Sequence, residues 1–186
     1  MRNGRDTFVV AEQHQRGHSA TADEACPKPR FIADAMLGKL ARWLRMLGVD
    51  TVYEPSLNDT ELLERSIEED RVLLTRDFRL TQRKLARNCS LIESDCWKEQ
   101  LRQVVCEFHL TTDPAENGKR FSRCVGCNGR LEPVDREAVR FRVPVHIHEE
   151  HERFLRCLHC KHIYWQGSHH AAVERVLDEL MDVRRP

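Results

Sequence analysis

The chain predicts an α/β protein: an open parallel sheet flanked by helices, followed by a small four-cysteine ribbon and a terminal helix. Three observations carry this. Short apolar strands alternate with helical segments between Phe31 and Phe108. Two Cys-x-x-Cys pairs follow in the C-terminal third. Finally, Val173, Val176, Leu177 and Leu180 recur at helical spacing near the end.

Residues 1–30 are polar and end in Ala25-Cys26-Pro27-Lys28-Pro29, which reads as a disordered tail. Phe31-Ile32-Ala33 is a first strand, closed by Asp34. Leu37, Leu40, Ala41, Leu44 and Leu47 form the inner face of a helix, and Gly48 supplies its stop. On this helix Trp43 reads as core or half-buried. Val49 to Tyr53 reads as a second strand, followed by a turn at Pro55. Asn58 or Asp59 caps a helix whose inner face is Leu62, Leu63 and Ile67. Arg71-Val72-Leu73-Leu74-Thr75 is the clearest buried strand, ending at Arg76-Asp77, and a basic helical stretch runs on to Arg87. Ser90 to Glu93 is a fourth strand, and Trp97, Leu101, Val104, Val105 and Phe108 mark another amphipathic helix. The predicted α/β unit therefore spans 31–110. Residues 111–118 have linker composition, and 119–186 hold the ribbon and the last helix.

The 186 residues carry 30 basic and 30 acidic side chains, so net charge gives no prior for a polyanionic partner and any such contact must come from local patches. No apolar run reaches the roughly 18 residues of a membrane span, and the N-terminus lacks the order of a signal peptide. A cytoplasmic, reducing location is the expectation, in which eight cysteines favour metal ligation over disulfides.

Cys124-Val-Gly-Cys127 and Cys157-Leu-His-Cys160 have the spacing of two zinc knuckles. Two intervening residues let both thiolates of a pair reach one ion, and four thiolates close the tetrahedron, which makes the zinc structural. His159 and His162 are the substitute ligands. Gly126, Asn128 and Gly129 suit the turns, and Arg140 to His146 alternates in polarity as a ribbon strand should. Cys26, Cys89, Cys96 and Cys106 have no ligand spacing.

In an open parallel sheet, chemistry gathers beyond the carboxyl ends of the strands. Asp34 and Asp77 stand there, after the first and third strands; Asp59 begins the intervening helix and Asp95 follows the fourth strand. Converging carboxylates suit magnesium or manganese, which activate water and stabilise phosphodiester leaving groups. Read individually, Asp59 and Asp95 also suit helix caps, and Asp77 a turn residue or a partner for Arg76. Lys39, Arg42 and Arg45 recur along the first helix, and Arg76, Arg79, Arg83, Lys84 and Arg87 crowd the segment after Asp77. Such charges suit phosphate contacts, or form an ordinary solvated face.

The run Asp34-Ala-Met-Leu-Gly-Lys-Leu-Ala-Arg-Trp-Leu-Arg-Met-Leu-Gly48, the strand end Leu73-Leu-Thr-Arg-Asp77, the two knuckles with Cys127-Asn-Gly129, and Tyr164-Trp-Gln-Gly-Ser-His169 together resemble the Mut-seven-type C-terminal RNase domain family. The resemblance covers about Phe31 to His170. It implies a PIN-like nuclease core joined to a zinc ribbon, and a ribonuclease that uses magnesium or manganese. Asp34 and Asp77 match the family's motifs directly, Asp59 matches less tightly, and Asp95 matches by position. The last motif either binds RNA or packs the ribbon on the core. The sequence thus predicts hydrolysis of RNA at Asp34, Asp59, Asp77 and Asp95, with Lys39, Arg42, Arg45, Arg76 and Arg79 on the phosphates. A non-catalytic RNA-binding protein and a zinc-ribbon adaptor of an RNA-processing or ribosomal complex are the alternatives.

Overall fold

A computed structural model describes residues 28–110 and 119–181, without the side chains of 168, 169 and 181. The expected tail up to residue 27 and the linker 111–118 lie outside the described residues. The chain runs β1 (Phe31–Ala33), α1 (Gly38–Met46), β2 (Thr51–Tyr53), α2 (Asp59–Glu68), β3 (Val72–Thr75), α3 (Phe78–Thr81), β4 (Cys89–Leu91) and α4 (Trp97–Glu107). It continues with β5 (Leu131–Val134), α5 (Val145–Glu150), β6 (Phe154–Cys157), β7 (Ile163–Trp165) and α6 (Ser168–Met181). Among the described residues no helix is long and apolar enough to cross a membrane.

The first four strands form one wholly parallel sheet in the order β2-β1-β3-β4. Strand periodicity divides the core between its two faces. Phe31, Ala33, Val72 and Leu74 face one way, onto Leu40, Leu44, Leu101 and Val104. Ile32 and Leu73 face the other way, onto Leu62, Leu63 and Leu80. This is the predicted α/β class, a parallel sheet with helices on both faces. The last three strands form a separate antiparallel sheet, β5-β6-β7, over a small core of Val139, Val143, Phe154 and Ile163.

Helix α6 follows the ribbon in sequence but packs elsewhere. Leu177 and Leu180 are buried in the α/β core, with Val173 and Val176 against it. Each leucine buried in this way contributes about 1.5–3 kcal/mol. The sequence grouped this helix with the ribbon because it follows it; its apolar stripe belongs to the first sheet.

Several local expectations need correction. The inner face of α2 is Leu62, Leu63 and Ser66, while Ile67 is 48% exposed. Ser66 can turn inward because its hydroxyl donates to the Leu63 carbonyl at 2.7 Å. The basic helix to Arg87 stops at Thr81, since Leu80 is its one buried apolar anchor and the residues from Gln82 to Arg87 are mostly exposed. The segment Arg140–His146 is not a strand. Val139 closes a 3-10 turn, Pro144 caps α5, and the ribbon's strands lie on either side. Proline at 144 cannot donate to a ladder, and it presets the backbone for a helix start.

Candidate active site and metal centre

In the order β2-β1-β3-β4, the chain crosses from β1 to one side and from β2 back over to the other. The strand order therefore reverses between β1 and β3, the place where open sheets of this kind bind ligands beyond the carboxyl ends of their strands. Asp34 leaves β1 on one side of this reversal and Asp77 leaves β3 by way of Arg76 on the other. Asp34 is held by three bonds besides the one its carbonyl accepts from the Leu37 N–H at 2.8 Å. Its backbone N–H donates to the Leu74 carbonyl at 2.9 Å, its Oδ1 accepts from the Ala35 N–H, and its Oδ2 accepts from the Thr75 hydroxyl at 2.6 Å. Asp77 caps α3, with Oδ1 accepting from the N–H groups of Arg79 and Leu80 at 2.8 and 3.4 Å.

Thr75 joins the two acids. Its hydroxyl proton goes to Asp34, and its oxygen accepts the Asp77 backbone N–H at 3.0 Å. Thr75 is fully buried, so both of its bonds are fixed by the strand that carries it. Tyr53, at the end of β2, braces the turn after Asp34 by donating to the Ala35 carbonyl at 2.9 Å. The ring of Tyr53 crosses the start of α1 so closely that a Cβ on Gly38 would lie 2.6 Å from it. Gly38 is the residue that lets Tyr53 reach the Asp34 turn. Thr75 lies inside the Leu73-Leu-Thr-Arg-Asp77 motif with no role assigned to it by the sequence, and Tyr53 does not stand out. A hydroxyl two residues before Asp77 is the only signal that could have found Thr75.

The other two acids are placed differently. Asn58, not Asp59, caps α2, in a reciprocal box with Glu61. Asp59 is exposed in the first turn and pairs with Arg83 at 2.7 Å. Asp95 is likewise not a cap: Cys96 stands at the start of α4, and Asp95 pairs with Arg76 at the surface. Among the described residues, the four cysteines are the group of potential ligand atoms that converges.

The basic candidates also separate. Lys39 and Arg42 are exposed, with Lys39 Nζ 4.8 Å from the Trp97 ring centre, while Trp97 stacks on Trp43 at 4.4 Å. Arg79 is exposed beside Asp77. Arg76 pairs with Asp95 but keeps a buried Nε with no acceptor among the described residues. Arg45 is a correction. It is 2% exposed and does not reach a phosphate-binding surface. Its Nε donates to the Thr51 carbonyl at 2.8 Å, and its Nη1 donates to the Val125 and Gly126 carbonyls at 2.9 and 3.0 Å. It therefore ties α1 to β2 and to the first knuckle, a role that helical spacing alone cannot distinguish from exposure.

The four thiols, Cys124, Cys127, Cys157 and Cys160, have sulfur atoms all within 4.8 Å of one another. The two pairs are built alike. The backbone N–H of each second cysteine points to the first sulfur at 3.4 Å, in both pairs. The residue after each pair, Asn128 or Lys161, has φ of 66° or 61° and donates back to the first cysteine's carbonyl. The first cysteine in turn donates to the carbonyl of Gly129 or His162. These are two equivalent loops that converge on one point, a donor set and spacing suited to a closed, structural zinc site. Gly129 is part of the cradle, because a Cβ there would sit 2.8 Å from Cys157 Sγ. Tyr164 Oη lies 3.0 Å from Cys124 Sγ, so this part of the last motif supports the metal cluster. Burial works against a thiolate at Cys124, yet the Tyr164 hydroxyl and the Cys127 N–H outweigh it and bring its pKa down to about 7. Cys127 is pushed up to about 12, by burial first.

The first knuckle is bolted to the sheet. Asn128 Oδ1 accepts the Thr51 N–H at 3.1 Å, and its Nδ2 donates to Asp50 Oδ1 at 2.8 Å. Asp50 also receives Arg71 at 2.7 Å and Arg123 at 3.1 Å. Burial disfavours the charged form of Asp50, but these donors overcome it and hold the carboxyl below its ordinary range.

In comparison with known proteins, the family model of the Mut7-C RNAse domain matches residues 29–177. Neither the curated proteins nor the solved structures contain a match.

Proposed function

The chain belongs to the Mut7-C RNAse domain family, and from that premise we propose that it hydrolyses RNA phosphodiester bonds with a magnesium or manganese ion held by Asp34 and Asp77. The observation that supports this most is the fixed relation of these two acids through Thr75, at the point where the strand order reverses. A buried hydroxyl that holds the Asp34 carboxylate and the Asp77 backbone N–H together suits a site that needs rigid ligands. A bound divalent ion supplies an activated water and neutralises charge developing on the phosphate. This chain's residues do the rest. Asp34 and Asp77 offer oxygen ligands, and Asp59 would join them on leaving Arg83. Arg76, partly exposed and paired with Asp95, would offer its guanidinium to a phosphate oxygen. Lys39, Arg42 and Arg79 supply positive charge along the RNA backbone.

In this reading the PIN-like unit, 31–110, carries the chemistry. The ribbon fixes the edge strand β2 and has no open ligand position for catalysis. The test is cleavage of a labelled single-stranded oligoribonucleotide with added magnesium or manganese. Wild type is expected to cleave, and Asp34→Asn and Asp77→Asn are expected to lose at least about a hundredfold in rate. Equal cleavage by wild type and both variants would overturn the assignment.

A further inference from the structure

A second basic site lies at the opposite end of the sheet from Asp34 and Asp77. Arg30 precedes β1 and Asp50 precedes β2, so both stand at the amino ends of the strands. Together with Lys28, Arg123 and Arg130 they line a cavity of about 430 Å³ between the α/β unit and the ribbon. Pockets of that size accommodate a nucleotide-sized group.

The charge balance there is uneven. Four cations face one carboxylate, and that carboxylate is already engaged. Asp50 Oδ1 accepts from Arg71 Nη1 and Asn128 Nδ2, while Oδ2 takes Arg123 Nη2 and faces Arg30 Nε at 3.8 Å. The ribbon also places Arg123 directly opposite Arg130 in an antiparallel bridge. Like charges at directly opposed positions destabilise a ladder. Arg123 is held by Asp50 and by the Asn128 carbonyl at 3.0 Å, whereas Arg130, lining the same cavity, has no ion pair among the described residues. A phosphoryl group entering it would relieve that repulsion and receive forked guanidinium donors.

We propose that this cavity is a phosphoryl-binding subsite that takes a backbone phosphate of an RNA strand bound across the junction of the α/β unit and the ribbon. The choice of RNA as the source rests on the proposed function; the phosphoryl chemistry does not.

The test is fluorescence anisotropy of a labelled single-stranded oligoribonucleotide without added magnesium or manganese. It compares wild type with the Arg30→Gln/Arg130→Gln double variant across a salt series. The double variant is expected to bind about tenfold more weakly at low salt, with the slope of log affinity against log salt reduced by about two. Zinc content and the urea midpoint report that the fold is kept; if the double variant is unstable, Arg130→Gln alone is expected to reduce the slope by about one. A second arm titrates inorganic phosphate against chloride at matched ionic strength. Displacement of RNA by phosphate from wild type but not from the variant supports the subsite and adds the free anion as a ligand. Unchanged affinity and slope in the variants overturn it, as does absence of both RNA and phosphate binding by wild type. Binding that depends on Arg130 in a protein that never cleaves would sustain the subsite and remove the nuclease. Cleavage and binding by the variants at wild-type levels would do the reverse.

Discussion

The Asn128 carboxamide accepts the backbone N–H of Thr51 at 3.1 Å, so the residue that completes the first zinc knuckle also closes the open edge of the parallel sheet. An edge strand otherwise presents unpaired donors and acceptors to solvent or to another chain. Here β2 is covered from its amino end by Asn128, and its Thr51 carbonyl is taken by Arg45.

Replacing Asn128 with glycine removes the carboxamide while keeping the φ of 66° that the knuckle needs. The Asn128→Gly variant is expected to lose about 1–2 kcal/mol of stability, the worth of two side-chain bonds with one to a charged partner. Urea unfolding measures the loss. Zinc content at wild-type stoichiometry would place it at the sheet edge; loss of zinc would contradict that placement.

Thr75→Val keeps the side chain's shape in the core and removes the hydroxyl between Asp34 and Asp77. Cleavage is expected to fall at least about tenfold, because the Asp34 carboxylate and the Asp77 backbone lose their common anchor. Thr75→Ser retains the oxygen and is expected to recover most of the rate. Equal defects in valine and serine variants would mean that packing, not the hydroxyl, matters there.

At Gly129 the ribbon has no room for a side chain. Gly129→Ala sets a methyl carbon 2.8 Å from Cys157 Sγ and 3.0 Å from the His159 Cβ. The expected outcome is faster zinc release to a chromogenic chelator, by about tenfold or more. Alanine at Gly126 meets its nearest atom at 3.8 Å, and is expected to release zinc like wild type.

Asp50 makes stability depend on pH in a defined direction. Its folded pKa lies below the ordinary value, so the unfolded chain binds the proton more readily. Its contribution is therefore fully present above the ordinary carboxylate range, near about pH 4, and is lost as pH falls through the lower folded value. Asp50→Asn is expected to cost on the order of 2 kcal/mol at pH 7, since it leaves Arg71 and Arg123 without their shared anion. The gap to wild type should narrow below about pH 4. A gap that is constant from pH 7 to pH 3 would assign the effect to shape rather than charge.

Much of this was legible in the chain because the period of apolar residues is a direct imprint of burial. Phe31-Ile32-Ala33 and Val72 to Thr75 are buried on both faces and read as unbroken apolar runs. The leucines of α1 repeat once per turn, and four cysteines in two Cys-x-x-Cys pairs have the spacing with which one metal ion is held. What the chain hid were contacts between distant segments. Arg45 has the same helical spacing as Lys39 and Arg42, yet its guanidinium ends on carbonyls of a knuckle far along the sequence. Asp50, Thr75 and Tyr53 look ordinary until the strands are set side by side. The run from Arg140 to His146 shows the opposite failure. Its alternation of polarity does not track burial: of Phe141, Val143 and Val145 only Val143 is buried, and Pro144 with the turns around it replaces a ladder.

Helix α6 completes the core that Leu101 and Val104 begin, although the whole ribbon lies between them in the chain. Synthesis runs from the N-terminus, so the sheet bearing Asp34 and Asp77 leaves the ribosome before one of its covering layers exists. Until residue 180 has emerged, part of that apolar face has no partner. Closure of the ribbon on its ion shortens the free chain that α6 must search across, and shorter loops close at lower entropic cost. Zinc supply during translation is then expected to govern how quickly the sheet is sealed against aggregation, a kinetic consequence separate from any effect on the finished protein.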